Sequence, residues 1–98
     1  MSYAIKFTVK ARNNFAQNLD YLMKEWGSKV ALGFIDRVDS VLETISKNPF
    51  LFPLYDPSKE IRKCVIHSRI ILFFRIKGNT IEILRFWNTY QNPAKLKF

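Results

Sequence analysis

The first half of the chain changes from an alternating pattern of hydrophobic and polar positions to a helical one. Residues 3–9 alternate apolar side chains with polar or small ones, which predicts a half-buried strand. From residue 11 to 26 the apolar positions recur every three or four residues, which predicts an amphipathic helix that ends near Gly27. Ser28 is a suitable N-cap for a second amphipathic helix, which continues to residue 48. Almost no chain separates the two helices, so they are predicted to form an antiparallel hairpin.

The second half begins with an interruption and is then rich in strands. Residues 48–60 contain three prolines and no regular period, which predicts an irregular loop whose Phe50, Phe52 and Tyr55 cover the edge of the core. Three segments dense in Ile, Val, Leu and Phe follow, separated by short turns: Ile61–Ile66, Arg69–Ile76 and Thr80–Trp87. The continuous apolar run from Ile70 to Phe74 predicts a strand that is buried on both faces and therefore central in its sheet.

Together these elements predict an α+β fold with the order β-α-α-β-β-β in a single domain of residues 1–98. The helix hairpin is expected to pack on one face of a small, twisted, mainly antiparallel sheet. The opposite face is left free for charged side chains. Gly33 lies inside the second helix, where glycine costs about 1 kcal/mol relative to alanine, and we expect its missing side chain to permit close packing there.

Composition narrows the chemistry that the domain can support. One cysteine, Cys64, excludes an internal disulfide, and one cysteine with one histidine gives no Cys/His zinc site. The longest apolar run is five residues, far below a membrane span, so a cytoplasmic protein without a membrane partner is expected. The three glycines are not clustered into a phosphate loop, and Glu82 is the one acid after residue 60. We therefore expect no metal and no small-molecule cofactor.

Positive charge is concentrated in the last third of the sequence. The net charge is +8, and residues 61–98 carry eight Lys and Arg against Glu82 alone. Such a distribution favours a phosphate backbone or an acidic protein segment as the partner, and a solvated basic face is the alternative. We expect the strand arginines to converge on the exposed sheet face, although pairing with Glu82 or with helix carboxylates is an alternative for each. The predicted nucleic-acid contacts are Arg62, Lys63, Arg69, Arg75, Arg85 and Lys95.

These cations suit metal-independent cleavage of RNA, in which the 2′-hydroxyl is the nucleophile. That reaction needs a general base, a general acid and cations that stabilise the charge developing on the phosphate. His67 has a suitable ordinary pKa, about 6.5, although a solvated histidine is common at a turn. Tyr90 can donate a proton or stack on a base, with simple packing as the alternative. The predicted catalytic residues are Arg62, Arg69, Arg85, His67 and Tyr90.

Several segments, taken in order, resemble the RelE/ParE superfamily of type II toxin–antitoxin toxins. They are IKFTVKARNNFAQNLDYLMKEWG, FIDRVDSVLETISKNPFLFP, IRKCVIHSRIILFFRI and NTIEILRFWNTYQNP, and they cover nearly the whole chain. The resemblance implies a small basic growth inhibitor that a cognate antitoxin neutralises by wrapping its C-terminal segment around the helices and the sheet. Members of the superfamily either cleave messenger RNA on the ribosome or, in the ParE branch, poison DNA gyrase.

The resemblance also identifies Arg62, Arg69, Arg75 and Arg85 with the strand arginines of the superfamily. Three features depart from its RNA-cleaving members. Tyr90 stands where an arginine commonly precedes Gln-Asn-Pro, Asn88 and Thr89 stand where His or Arg is frequent, and Ile71 occupies the position of a catalytic arginine. An endoribonuclease and a gyrase inhibitor therefore both remain open, and a harmless basic binding module, a degenerate toxin that recognises an acidic segment or RNA, is the alternative.

Overall fold

Two helices cover one face of a five-stranded sheet in the computed structural model, which describes residues 2–98. The elements are β1 (Ala4–Phe7), α1 (Val9–Trp26), α2 (Ser28–Lys47), β2 (Leu54–Asp56), β3 (Ile61–His67), β4 (Ile70–Lys77) and β5 (Thr80–Asn88), with short 3-10 turns at Pro49–Leu51 and Pro93–Lys95. The strand order is β1-β5-β4-β3-β2; β1 runs parallel to β5 and the other neighbours are antiparallel. This arrangement confirms the predicted α+β class and places β4 at the centre of the sheet.

The first strand is shorter than its alternating pattern suggests, because Thr8 turns the chain into α1. Its hydroxyl accepts a hydrogen bond from the backbone N–H of Ala11 at 3.0 Å and caps the helix. The same hydroxyl lies 3.0 Å from the carbonyl oxygen of Ile83, which ties the helix start to β5. The prediction that the strand extends to Val9 is therefore wrong by two residues, and Val9 is an exposed residue of α1.

A single residue, Gly27, joins the two helices. It adopts φ 90° and ψ 177°, a conformation that is essentially restricted to glycine, and its N–H closes α1 on the carbonyl of Met23. Gly27 also occupies the N-cap position of α2, so the prediction that Ser28 caps that helix with its side chain is wrong. The rings of Phe15 and Phe34 stack at 5.5 Å between the helices, in agreement with the predicted helix hairpin.

The segment predicted as an irregular loop contains a 3-10 turn and the short edge strand β2. Phe52 packs on the core beside Phe74, and Tyr55 contacts Phe73 with ring centroids 4.8 Å apart, so these two aromatic residues cover the core edge as expected. Phe50 does not, since 64% of its surface is exposed. The extra strand arises because residues 54–56 pair with β3, with an irregular register between Leu54 and Asp56. The three prolines of the segment hide this strand from a search for a regular period.

The sheet separates two apolar clusters. The larger lies under the helices and includes Phe34, Ile45, Leu72, Phe74 and Phe86. The smaller lies on the opposite face, hereafter the outer face, and consists of Ile61, Phe73, Leu84 and Trp87 with Ile71 and Leu96 packed against them. Leu96 belongs to the segment of residues 93–98, which crosses this face and brings the ring of Phe98 within 5.1 Å of Phe73. The outer face is thus partly covered by the chain itself.

A bulge in β5 decides which way its arginine faces. Phe73 of β4 is opposite Arg85, whereas the next residue, Phe74, is opposite Ile83, so Leu84 is the additional residue. Paired residues on neighbouring strands share a face, and Arg85 is therefore on the outer face with Phe73. Without the bulge it would lie on the helix side with Ile83. Within residues 2–98, no helix is long and apolar enough to cross a membrane.

Candidate functional site

The four strand arginines do not share one exposed face, so that expectation is wrong. Arg62 of β3 is opposite Phe74, which belongs to the helix-side core, and it therefore lies on the helix side. Its Nη1 donates to the carbonyl oxygen of Phe52 at 2.6 Å, and its guanidinium lies 5.2 Å from the centroid of the Phe50 ring. Arg62 is thus held at the base of the 48–60 segment, away from the other three arginines.

Arg75 is on the outer face but is paired. Its Nε donates to Glu82 Oε1 at 2.8 Å across β4 and β5. This ion pair holds the pKa of Glu82 below its ordinary value, with Lys77 and Lys6 adding to the effect. The pair corresponds to the alternative considered for the arginines, in which one of them binds Glu82. Lys63 is also on the outer face, opposite Phe73, and is half-buried.

Arg85 is buried, with 9% of its surface exposed. Its Nε donates to Asn14 Oδ1 at 2.6 Å, its Nη1 donates to the carbonyl oxygen of Lys97 at 2.9 Å, and its guanidinium lies 5.2 Å from the centroid of the Trp87 ring. Burial without a carboxylate partner lowers its pKa. Arg85 thus joins α1, β5 and the 93–98 segment, and it is not available to a ligand in this conformation. Lys95 of that segment is exposed.

The other three candidates, Arg69, His67 and Tyr90, are together. They line an open cavity of about 360 Å³ between the end of the helix hairpin where α1 joins α2 and the turn that joins β3 to β4. The guanidinium of Arg69 lies 3.9 Å from the centroid of the Tyr90 ring, a cation–π contact that orders both side chains. The N–H of Thr89 donates to the carbonyl of Arg69 at 2.7 Å and holds the turn against the end of β5.

The rest of this cavity is mostly apolar and carries no carboxylate. Its walls include Tyr21, Leu22, Trp26, Val30, Ile70 and Asn88. A cation and aromatic rings in one concave site can bind a planar or anionic group. The Nδ1 of His67 lies 3.4 Å from Ser68 Oγ, and His67 is exposed, so nothing in the described residues positions it as a base through a carboxylate. The cavity thus brings together a cation, an imidazole and a phenol, without Arg62 or Arg85.

Sequence reasoning missed several residues of these sites. The helical spacing of apolar residues in α1 does not indicate that Tyr21 and Trp26, near the end of that helix, line the cavity. Asn14 could not be identified as the partner of Arg85, because the two are 71 residues apart in sequence. The sequence pattern also does not identify Lys6 and Lys77 as neighbours of Glu82, although both help to lower the pKa of its carboxyl. Their position in neighbouring strands, known only after the register is known, is the signal that identifies them.

Solved structures with this fold include toxins and toxin–antitoxin complexes from several bacteria. The structure of a chromosomal ParDE toxin–antitoxin system from Pseudomonas aeruginosa matches with a TM-score of 0.75 and 19% identity, over 89% of this chain and 96% of that one. The toxin–antitoxin complex RelBE2 from Mycobacterium tuberculosis matches with a TM-score of 0.61 and 18% identity, over 90% and 99%. The YoeB dimer from Staphylococcus aureus matches with a TM-score of 0.61 and 14% identity, over 89% and 97%. At these identities the likeness concerns the fold.

The sequence itself gives the family. A comparison with curated protein sequences finds no match. In contrast, the family described as the ParE toxin of the type II toxin–antitoxin system parDE matches residues 5–93, from β1 to the start of the last 3-10 turn. The match includes both helices, all but the first residue of the sheet and the whole cavity that holds Arg69 and Tyr90. This chain therefore belongs to the ParE toxin family, within the RelE/ParE superfamily of type II toxins.

Proposed function

We propose that this protein is the growth-inhibiting toxin of a ParDE-type toxin–antitoxin pair and that it acts on DNA gyrase. The observation that carries the proposal is the match of residues 5–93 to the ParE toxin family. Gyrase inhibition is the activity that the resemblance assigns to the ParE branch. A protein with this target acts in the cytoplasm, where the chromosome is.

The arrangement of the arginines supports inhibition by binding over cleavage of RNA. Metal-independent cleavage needs several cations around one phosphate together with an acid and a base. Here Arg62 is held by a backbone carbonyl on the helix side, and Arg85 is buried under the 93–98 segment. Arg69 alone among the candidate arginines accompanies His67 and Tyr90. A protein that inhibits by binding does not need these groups to converge.

The experiment combines induced expression with two reactions in vitro. We expect expression without an antitoxin to stop growth, and the purified protein to inhibit the supercoiling of plasmid DNA by gyrase in a dose-dependent manner. The variants His67→Gln and Tyr90→Phe, which remove proton transfer at the cavity, are expected to inhibit as the wild type does. Inhibition that is absent at a tenfold excess of toxin over gyrase would refute the proposal, and unimpaired growth would favour the harmless binding module instead.

Cleavage of messenger RNA on the ribosome is the second candidate, and the shared cavity of Arg69, His67 and Tyr90 is the observation that favours it. In this reading Arg69 binds the phosphate while His67 and Tyr90 transfer protons. Translating ribosomes with a defined messenger would then give cut ends, and His67→Gln would reduce the cutting. Arrest of growth with uncut messenger and inhibited gyrase would exclude this candidate.

A cognate antitoxin is the partner that we propose for the helix face. Tyr21, Trp26 and Leu32 leave 40%, 67% and 59% of their surfaces exposed on the helices, which offers apolar contacts to an added segment. The positive charge of residues 61–98 favours an acidic, partly disordered segment that folds on binding and continues from the helices to the sheet. A neighbouring reading frame with a DNA-binding head and an acidic tail would support this partner, and the association rate should fall steeply as salt is raised.

A further inference from the structure

The charge of the molecule is divided between its two layers. The two helices carry six Lys and Arg against five Asp and Glu, which leaves them nearly neutral. The outer face and the segment that crosses it carry seven cations, of which Arg85 is buried, against Glu82 and Asp56: Lys6, Lys63, Arg75, Lys77, Arg85, Lys95 and Lys97. The excess of positive charge is therefore on the side of the sheet that the helices leave open, and it is independent of the cavity described above.

Three of these cations surround one carboxylate. Glu82 of β5 is opposite Lys6 of β1 on one side and opposite Arg75 of β4 on the other, so the three side chains share the outer face. Lys77 is two residues beyond Arg75 on the same strand and has the same orientation. Strands are about 4.8 Å apart, which puts the Lys6 and Arg75 backbones about 10 Å apart. Arg75, with smaller effects of Lys77 and Lys6, holds the pKa of the Glu82 carboxyl below its ordinary value.

We propose that Lys6, Arg75 and Lys77 form a surface that binds the phosphate backbone of duplex DNA. The inference rests on the proposed function, because the DNA on which gyrase acts is the duplex that such a toxin would meet. Three cations against one anion leave a net charge of +2 within about 10 Å. This local density of positive charge suits the closely spaced phosphates of a polyanion and is greater than a ligand with a single carboxylate requires. Contacts of this kind position a protein on DNA without reading its sequence.

The aromatic residues of the outer face favour duplex over single-stranded nucleic acid. Proteins that bind single strands combine a basic groove with exposed rings on which bases stack. On this face Phe73 and Trp87 are 1% and 5% exposed, while Tyr55 and Phe98 are 46% and 39% exposed and pack against Phe73. Among residues 2–98, no aromatic ring makes a cation–π contact with Lys6, Arg75 or Lys77. The cations therefore meet phosphates without a stacking platform next to them.

Glu82 has a definite role in this surface. It holds Arg75 in an ion pair at 2.8 Å and repels phosphate. Replacing it by glutamine removes one negative charge and frees a guanidinium for a phosphate contact. The proposal therefore predicts that Glu82→Gln binds duplex DNA more tightly and with a steeper dependence on salt. The slope of log K against log[salt] should become more negative by about 1.

The test measures binding to a fluorescein-labelled 24-base-pair duplex by anisotropy between 50 and 200 mM salt. The wild type, in which Glu82 holds Arg75, is expected to give a slope of about −1.8, or 0.9 for each of the two phosphates bound by Lys6 and Lys77. The double variant Lys6→Glu, Lys77→Glu is expected to lose about 2 from that slope and to bind more weakly. Lys10→Glu, Lys29→Glu is the matched control, because it changes the net charge equally on exposed helix lysines that form no ion pair among residues 2–98.

Each outcome decides the proposal. Weaker binding in the outer-face variant alone, with tighter binding by Glu82→Gln, supports it. Equal loss in both double variants shows that only net charge matters and overturns it, as does a preference for a single strand of the same length. Thermal denaturation of every variant checks that the fold is retained.

The gyrase assay separates this proposal from the proposed function. If the wild type inhibits gyrase but the outer-face variant binds duplex DNA as tightly as the wild type does, the inference is overturned and the proposed function stays intact. If the wild type binds duplex DNA through these residues yet fails to inhibit gyrase, the proposed function is refuted and the surface stands.

Discussion

Arg85→Ala is expected to destabilise the protein far more than the same change at Arg75, although both arginines are on the outer face. Arg85 is 9% exposed and donates to Asn14 Oδ1 and to the carbonyl of Lys97. The alanine variant leaves both acceptors without a donor and separates α1 from the 93–98 segment. The Arg75 side chain is 42% exposed, and its one partner is Glu82, which water can solvate instead.

The size of the effect follows from these contacts. A hydrogen bond from a charged donor contributes about 1.5–3 kcal/mol, so two of them contribute about 3–6 kcal/mol. Part of this is offset, because a buried cation without a carboxylate is itself unfavourable. We expect a net loss of about 2–4 kcal/mol, or about 10–25 °C in the melting temperature of a domain of this size. An exposed ion pair such as that of Arg75 is worth about 0–1 kcal/mol.

The assay is urea denaturation followed by circular dichroism for the wild type, Arg85→Ala and Arg75→Ala, with melting temperatures as a second measure. Equal losses of unfolding free energy in the two variants would refute the reasoning. A consequence for toxicity follows. Loss of toxicity in Arg85→Ala would therefore report on folding and not on a contact between Arg85 and a target.

Three further outcomes can be measured on the same protein. Gly33→Ala is expected to stabilise by about 0.5–1 kcal/mol, because an added Cβ meets no atom within 4 Å, whereas Gly27→Ala, with equal space but φ 90°, should cost about 1–3 kcal/mol; urea midpoints distinguish the two. The pKa of Glu82 is lowered by Arg75, so its contribution to stability is complete above its ordinary pKa of 4.5 and is lost as pH falls through the lowered value; Glu82→Gln should lose less stability than the wild type over that interval. Burial raises the pKa of the Cys64 thiol, so iodoacetamide at pH 8 should modify the folded protein more slowly than the urea-unfolded one.

The sequence pattern was sufficient to predict those helices and strands in which the apolar residues keep one regular spacing. The helices and the central strand follow from the spacing of apolar residues, and their bounds agree within two or three residues. The role predicted for Gly33 is wrong. An added Cβ at Gly33 would meet no atom within 4 Å, so this glycine does not permit a close approach. It contributes only the conformational cost of a glycine inside a helix.

The direction of the arginines could not be predicted, because it depends on register. A shift of one residue moves a side chain to the other face of a sheet. Bulges in β3, between Val65 and His67, and in β5, at Leu84, make two such shifts. The β5 bulge leaves a trace in the sequence: apolar residues at 81 and 83 are followed by apolar residues at 84 and 86, a change of phase that a strict alternation does not allow. No comparable change of phase in the sequence indicates which face Arg62 occupies. Its face follows from its pairing with Phe74, which only the register of β3 and β4 reveals.

The parallel pairing of β1 with β5 has a consequence for how this protein is made. Residues 4–7 find their partners only at residues 80–83, so the strand that leaves the ribosome first waits for the strand that leaves last. A nascent chain that has not yet exposed β5 lacks the neighbour of both β1 and α1 and cannot complete either apolar cluster. Long-range pairing of this kind slows folding. The folded form is therefore assembled only when synthesis of the domain is nearly finished, and the antitoxin proposed above would have that interval in which to bind the chain.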